Sequence, residues 1–144
     1  MNQVNNVYLD SKKYQFLVID GDERFLDNTK TMLNDMGHSV YVVKSGEDAY
    51  RVCRTKSFDV ILTTLFLPGE WNGPQTAVKI RKDSRSKFAK IVGVTEKDIT
   101  QDLVKICVKA GMKDCIPKGF DVDVIRKRLP KWTAKAKTDA LNSQ

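Results

Sequence analysis

The stretch Phe58-Asp-Val-Ile-Leu-Thr-Thr-Leu-Phe-Leu-Pro68 constrains the fold more than any other in the chain. Three successive aliphatics, Val60-Ile61-Leu62, lead into two hydroxyl residues, and Pro68, lacking an amide hydrogen, stops further regular pairing. An unbroken apolar run fits a strand covered on both faces, as in a parallel sheet between helices; a one-sided sheet would alternate in and out. In open α/β sheets the chemistry gathers beyond the carboxyl ends of such strands. Here that end is Thr64.

The neighbouring segments repeat the pattern. Phe16-Leu17-Val18-Ile19 reads as a strand ending in Asp20-Gly21-Asp22-Glu23, with Asp22 as N-cap of a helix. The apolar stripe of that helix is Phe25, Leu26, Thr29, Met32, Leu33 and Met36, and Gly37 closes it. Val40–Val43 is the second strand, and Ser45 caps a second helix with Ala49, Val52 and Cys53 inward. After Pro68 comes a loop, Gly69-Glu-Trp-Asn-Gly73, and Pro74 opens a third helix carrying Ala77, Val78 and Ile80. Ile91–Thr95 is the fourth strand. Asp98 and Gln101 resemble a capping box for a helix with Ile99, Leu103, Ile106, Cys107 and Ala110 inward, closed by Gly111. Cys115-Ile116-Pro117-Lys118 is a short fifth strand and its exit. Asp121 caps a last helix bearing Val122, Ile125 and Leu129, which Pro130 should end.

Alternating strands and helices imply an α/β three-layer sandwich with right-handed crossovers. At this size the flavodoxin-like order 2-1-3-4-5 is the natural parallel sheet, with five helices around it. The organisation expected is a flexible lead-in over 1–13, one domain over 14–130 and a basic flexible tail over 131–144.

Composition excludes several functions. No apolar run is long enough to span a membrane, and the N-terminus lacks the basic and apolar regions of a signal peptide. Cys53, Cys107 and Cys115 have neither metal-ligand spacing nor the number for a disulfide framework, so a reducing cytoplasm is the expected location. His38, read as a surface residue, is the only histidine, which leaves little material for a histidine-based zinc site or a serine triad. The net charge of +7 is concentrated in Arg126, Lys127, Arg128, Lys131, Lys135 and Lys137. Such a run reads first as a solvated face, and with Trp132 as its only aromatic it makes a poor nucleic-acid platform.

In the order 2-1-3-4-5, four strand ends converge on a rim carrying Asp20, Gly21, Asp22, Thr64, Thr95 and Lys118. With Thr64-Leu-Phe-Leu-Pro68, Val94-Thr95 and Ala110-Gly111, these residues resemble the receiver (CheY-like) domains of two-component response regulators over about residues 14–130. The resemblance implies an acidic pair after strand one that helps bind Mg²⁺, and a phospho-accepting aspartate at the end of strand three. It also implies a hydroxyl and a lysine at the next two strand ends, and an aromatic switch on strand five. Carried over by position, Asp20, Thr95 and Lys118 match. Gly21 takes the second acidic place, with Asp22 one step later, Thr64 takes the acceptor place, and Cys115 takes the switch place. Gly119 follows the lysine where a proline is usual.

The substitutions matter chemically. A carboxylate is ionised at neutral pH and attacks directly, whereas a threonine hydroxyl must first lose a proton. Mg²⁺ favours hard oxygen ligands with one or two carboxylates, so binding at Asp20, helped at most by Asp22, should be weak or absent. Asp59 sits at the far end of strand three on the opposite face, and Glu96 reads as a solvent-exposed loop residue. An Asp20–Lys118 ion pair is the expected resting state. The reading is therefore a non-enzymatic pseudo-receiver that signals by protein–protein contact without a cofactor. Its expected interaction face, helix four, strand five and helix five, carries Lys105, Lys109, Lys113, Arg126 and Lys127. That face suits an acidic histidine kinase or output protein, or a homodimer. Three alternatives stay open: a working phosphorelay receiver using Asp20 or Asp22, a nucleic-acid-binding module using the basic C-terminus, and a flavin- or nucleotide-binding domain. The last lacks a Gly-rich phosphate loop after strand one.

Overall fold

The computed structural model describes residues 12–134. Five strands, β1 (Gln15–Ile19), β2 (Ser39–Val43), β3 (Val60–Thr64), β4 (Lys90–Thr95) and β5 (Asp114–Pro117), form one parallel sheet in the order β2-β1-β3-β4-β5. Five helices alternate with them: α1 (Glu23–Asp35), α2 (Gly46–Cys53), α3 (Gly73–Lys82), α4 (Gln101–Lys109) and α5 (Val122–Thr133). The expected flavodoxin-like architecture is the one observed.

The two-residue period of a strand divides the core. Phe16, Val18, Val60, Leu62, Val92, Val94 and Ile116 point to one face, where they meet Leu26 and Leu33 of α1 and Ile125 and Leu129 of α5. Leu17, Ile19, Ile61 and Ile91 point to the other, against Ala49 and Cys53 of α2, Ala77 and Ile80 of α3 and Cys107 of α4. Every β3 residue is buried, because both faces are covered. Asp22, Ser45 and Asp121 cap α1, α2 and α5 as their positions predict, each accepting backbone amides of the first turn.

Four local expectations fail. Pro130 lies inside α5, which runs on to Thr133. Residues 131–133 thus belong to the helix and not to a tail, while residues 1–11 and 135–144 lie outside the described region. The last turn holds because Trp132 is buried and its indole donates to Asp114 Oδ2 at 2.9 Å, the carboxylate that also receives Arg128. His38 is buried, not surface: it packs on the Phe16 ring, and its Nδ1 accepts the Tyr14 amide at 3.1 Å. Thr100, not Asp98, caps α4, its hydroxyl accepting the Leu103 amide. Finally, Val78, Ile99 and Ile106, placed inward or on the apolar side by spacing, are largely exposed, because Thr76, Ala77, Ile80, Cys107 and Ala110 already fill the contact with the sheet.

Candidate functional site

The carboxyl ends of β1, β3, β4 and β5 bring Asp20, Thr64, Thr95 and Lys118 to one rim. Asp20 is only 3% exposed. Its Oδ1 accepts the Asp22 amide at 2.9 Å, and its Oδ2 lies 3.1 Å from Lys118 Nζ. That second contact is a close ion pair without good hydrogen-bond alignment, since Oδ2 has no aligned donor. The expected pairing of Asp20 with Lys118 is thus present. It reaches from the end of β1 to the end of β5, past the ends of β3 and β4 that lie between them.

Lys118 is held from three sides. Glu96 Oε1 approaches its ammonium at 3.2 Å, and the Phe25 ring lies beneath it with its centroid 4.9 Å away. Burial alone would lower the Lys118 pKa, but the carboxylates of Asp20 and Glu96 outweigh it and hold the value above that of an ordinary lysine. Sequence reasoning placed Glu96 in solvent. Its side chain is exposed, yet it leans onto Lys118 from the position directly after Thr95. Phe25 lay on the expected stripe of α1, but nothing in that stripe marked it as the floor of the lysine site.

The remaining rim residues have other tasks. The Thr95 hydroxyl accepts the Lys97 amide at 3.0 Å, and the Thr95 carbonyl accepts the Lys118 amide at 2.8 Å, tying the β4 and β5 exits together. A cleft of about 500 Å³ opens between these exits. Thr64 is 7% exposed, and the hydroxyl of its neighbour Thr63 donates to the Thr64 carbonyl. Asp22 Oδ1 accepts the Arg24 and Phe25 amides, so this carboxylate serves the helix start. Asp59 accepts the Gln15 amide at the opposite end of the sheet. Cys115 is buried beside Cys107, and burial pushes its thiol up to about 12.

Gly21 explains itself sterically. A β-carbon there would sit 3.0 Å from Pro68 Cδ, so the chain after β3 rests against a position that side chains larger than glycine would crowd. Glu47, in the first turn of α2, accepts the Glu70 amide at 3.2 Å and fixes the loop just beyond Pro68. A divalent cation would find two carboxylates here, Asp20 and Glu96, both already engaged by the Lys118 ammonium. Mg²⁺ asks for carboxylate and water oxygens free to form an octahedron. Among the described residues, no group of three or more His, Cys, Asp or Glu side chains is placed to hold a metal ion.

The five basic residues of the expected interaction face, Lys105, Lys109, Lys113, Arg126 and Lys127, are all exposed. Of these, Arg126 pairs with Asp123, and Lys109 lines a groove between α3 and α4. Arg128 is taken up by Asp114, and Trp132 is buried, so the aromatic of the basic run is not available to stack on a base.

Comparison with known proteins gives a consistent picture. The family model described as the response regulator receiver domain matches residues 16–130. The virulence sensor protein BvgS of Bordetella pertussis is 31% identical over 125 residues, 83% of this chain but 10% of that protein. The sensor histidine kinase GacS of Pseudomonas protegens is 26% identical over 131 residues, 89% of this chain and 14% of that protein. The chain thus spans about a tenth of the length of the curated relatives it matches. Among solved structures, the receiver domain of sensor histidine kinase PA1611 from Pseudomonas aeruginosa, with magnesium in its active-site cleft, superposes with TM-score 0.75 at 23% identity, covering 86% of this chain and all of that one. Vibrio cholerae chemotaxis protein CheY4 gives TM-score 0.76 at 21% identity over 83% of this chain and 98% of that one.

Proposed function

The chain belongs to the response regulator receiver domain family, and from that premise we propose that it works in two-component signalling as an atypical receiver. It acts by protein–protein contact in a state not set by aspartyl phosphorylation. The reading rests on taking Thr64, which ends β3 four residues before Pro68, as the counterpart of the family's acceptor carboxylate. A neutral hydroxyl there needs a base to become a nucleophile. His38, the only imidazole, lies at the start of β2, the opposite end of the sheet.

The surrounding geometry supports the same conclusion. In the family the lysine on the strand-five exit contacts the phosphoryl group; here Lys118 is occupied by Asp20 and Glu96. The pair supplies without phosphate a rim in which β1 and β5 are already drawn together. Magnesium binding is weak or absent, because Gly21 offers no carboxylate and Pro68 leaves little space for one. Asp22 does not restore the acidic pair, since it is exposed and its oxygen caps α1. The partners are signalling proteins of the kinase or output type, met through exposed basic surface.

An amide NMR titration with Mg²⁺, then Mg²⁺ plus beryllofluoride, tests this proposal. Signals of Asp20, Thr64, Thr95 and Lys118 that stay fixed support it. A saturable joint shift of those signals would show a working phosphoryl site and refute it.

A further inference from the structure

A concave surface larger than the cleft beside Lys118 lies away from the rim. Helices α3 and α4 enclose a groove of about 1070 Å³, open to solvent and distinct from the cleft beside Lys118. Its lining is mostly apolar: Val78 of α3 and Ile106 of α4 both line it, 48% and 50% exposed, together with Trp71 and Pro74. Both aliphatics have helical spacing that predicts burial, yet the sheet leaves them uncovered. Single exposed aliphatics are ordinary on a protein surface, but aliphatics and an indole gathered in one concavity mark a binding site.

The charges around the apolar floor are mostly positive, three lysines against one carboxylate. Lys79, Lys82 and Lys109 stand along its edges. Among the described residues none of the three has a carboxylate within salt-bridge distance. The one acid in the lining, Asp83, accepts the Tyr50 hydroxyl at 2.9 Å. Lys79 Nζ lies 5.1 Å from the centroid of the same Tyr50 ring, which holds that ammonium at the edge.

The walls are also preformed. Trp71 packs edge-on against Tyr50 with ring centroids 5.7 Å apart, and Asn72 and Gln75 close a reciprocal cap at the start of α3. At the other end, Arg81 donates to the carbonyls of Lys87, Ala89 and Gly111, fastening α3 to the turn that follows α4. A groove fixed in this way loses little conformational entropy on binding.

We infer that the α3–α4 groove docks an acidic amphipathic helix of a partner protein. An apolar channel between two helices fits a third helix presenting residues at one-turn spacing, and the unpaired lysines select carboxylates along its flanks. The groove is too open to enclose a small ligand on most sides, as small-molecule sites do. The inference rests on reading the domain as an interaction module. It does not depend on the state of Thr64, because none of the rim residues lines the groove.

The test is an NMR titration of the isotope-labelled protein, without Mg²⁺ or a phosphoryl donor, with a designed peptide of about four helical turns. The peptide carries leucines on one face and glutamates on both flanks; a second peptide replaces every glutamate with lysine. The expected result is a saturable shift confined to α3, α4 and the Trp71 indole, about tenfold weaker for the lysine peptide and weakened further by salt. The triple variant Lys79→Glu, Lys82→Glu, Lys109→Glu should reverse the preference. Val78→Asp and Ile106→Asp, at exposed positions, should each weaken binding about tenfold while the rest of the spectrum stays folded. Absence of saturable shifts, equal binding of both peptides, shifts on another face, or laurate filling the groove while neither peptide binds would each overturn the inference. Failure here leaves the beryllofluoride outcome unchanged, so the two readings fall separately.

Discussion

Removing the Lys118 ammonium is the sharpest perturbation of the rim. Lys118→Met keeps most of the aliphatic length over Phe25 but leaves Asp20 buried, with the Asp22 amide as its remaining donor. Deleting one partner of a buried pair costs about 3–5 kcal/mol, mainly from the stranded charge. The Lys118 side chain is 17% exposed, so the lower end, about 3 kcal/mol, applies here. For a domain of this size that corresponds to a fall in Tm of roughly 10 °C. Glu96 is largely exposed, and Glu96→Gln should cost less than about 1 kcal/mol.

Urea denaturation followed by circular dichroism measures these changes, and a double-mutant cycle separates the charge from the packing. Asp20→Asn combined with Lys118→Met should recover stability to within about 1 kcal/mol of the parent, because no buried charge then remains. The pH dependence has a definite sign. The folded Lys118 pKa is raised, so the stability from the pair is fully present below the ordinary lysine value of 10.5 and is lost as pH rises through the higher folded value. The gap between parent and Lys118→Met should therefore be constant near neutrality and close in strong base. A loss smaller than about 1 kcal/mol at pH 7, or no rescue by Asp20→Asn, would refute the ion pair as the element that sets the rim.

Three further outcomes follow from particular contacts. Gly21→Asp should destabilise by about 1–2 kcal/mol through crowding against Pro68, and Pro68→Ala should relieve most of that cost in the same urea assay. His38 has its pKa lowered by burial, so its contribution to stability is full above its ordinary value of 6.5 and is lost as pH falls from there through the lower folded value. Melting curves between neutral pH and mild acid should therefore drop more steeply for the parent than for His38→Asn, which keeps an acceptor for the Tyr14 amide; parallel curves would contradict the assignment. Trp132→Ala should cost about 3–4 kcal/mol, whereas in a frayed tail the same change would be neutral, and thermal melts distinguish the two.

The elements legible in the sequence are those fixed by local chemistry. Asp22, Ser45 and Asp121 were readable as caps because a cap needs only a short side chain and the amides after it. The split of the core between two faces was readable from the parity of residues such as Leu17 and Val18. The Asp20–Lys118 pair followed from topology, since strand order alone places both at one rim. What was not legible depended on partners distant in the chain. Pro130 obeys a local rule against helix interiors, and Trp132 reaching Asp114 overrides it. His38 looked like a surface residue at a strand entry until Tyr14 and Phe16 closed over it. Ile106 and Val78 have the spacing of core residues, but spacing does not say how wide a strip the sheet can cover.

The rim and the groove meet at α3. A β-carbon on Gly73 would collide with the Thr64 carbonyl and crowd the Leu65 α-carbon, while the Gly73 amide donates to the Leu65 carbonyl at 3.0 Å. The first turn of α3 is thus seated on the backbone that leaves β3, and glycine is the residue that lets it approach so closely. Trp71 and Pro74, which wall the groove, flank that contact in the chain. A partner helix that tilted α3 would act on the backbone of Thr64, and a shift of the β3 exit would act on the groove. Coupling of the two regions through this seat is a prediction, and it requires no phosphate at Thr64. Gly73→Ala should push α3 away from β3 and perturb amide signals in both regions, whereas the same change at the exposed Gly119, where a β-carbon meets nothing within 4 Å, should leave the groove signals in place. Groove signals unmoved by Gly73→Ala in a folded protein would show that the seat carries no coupling.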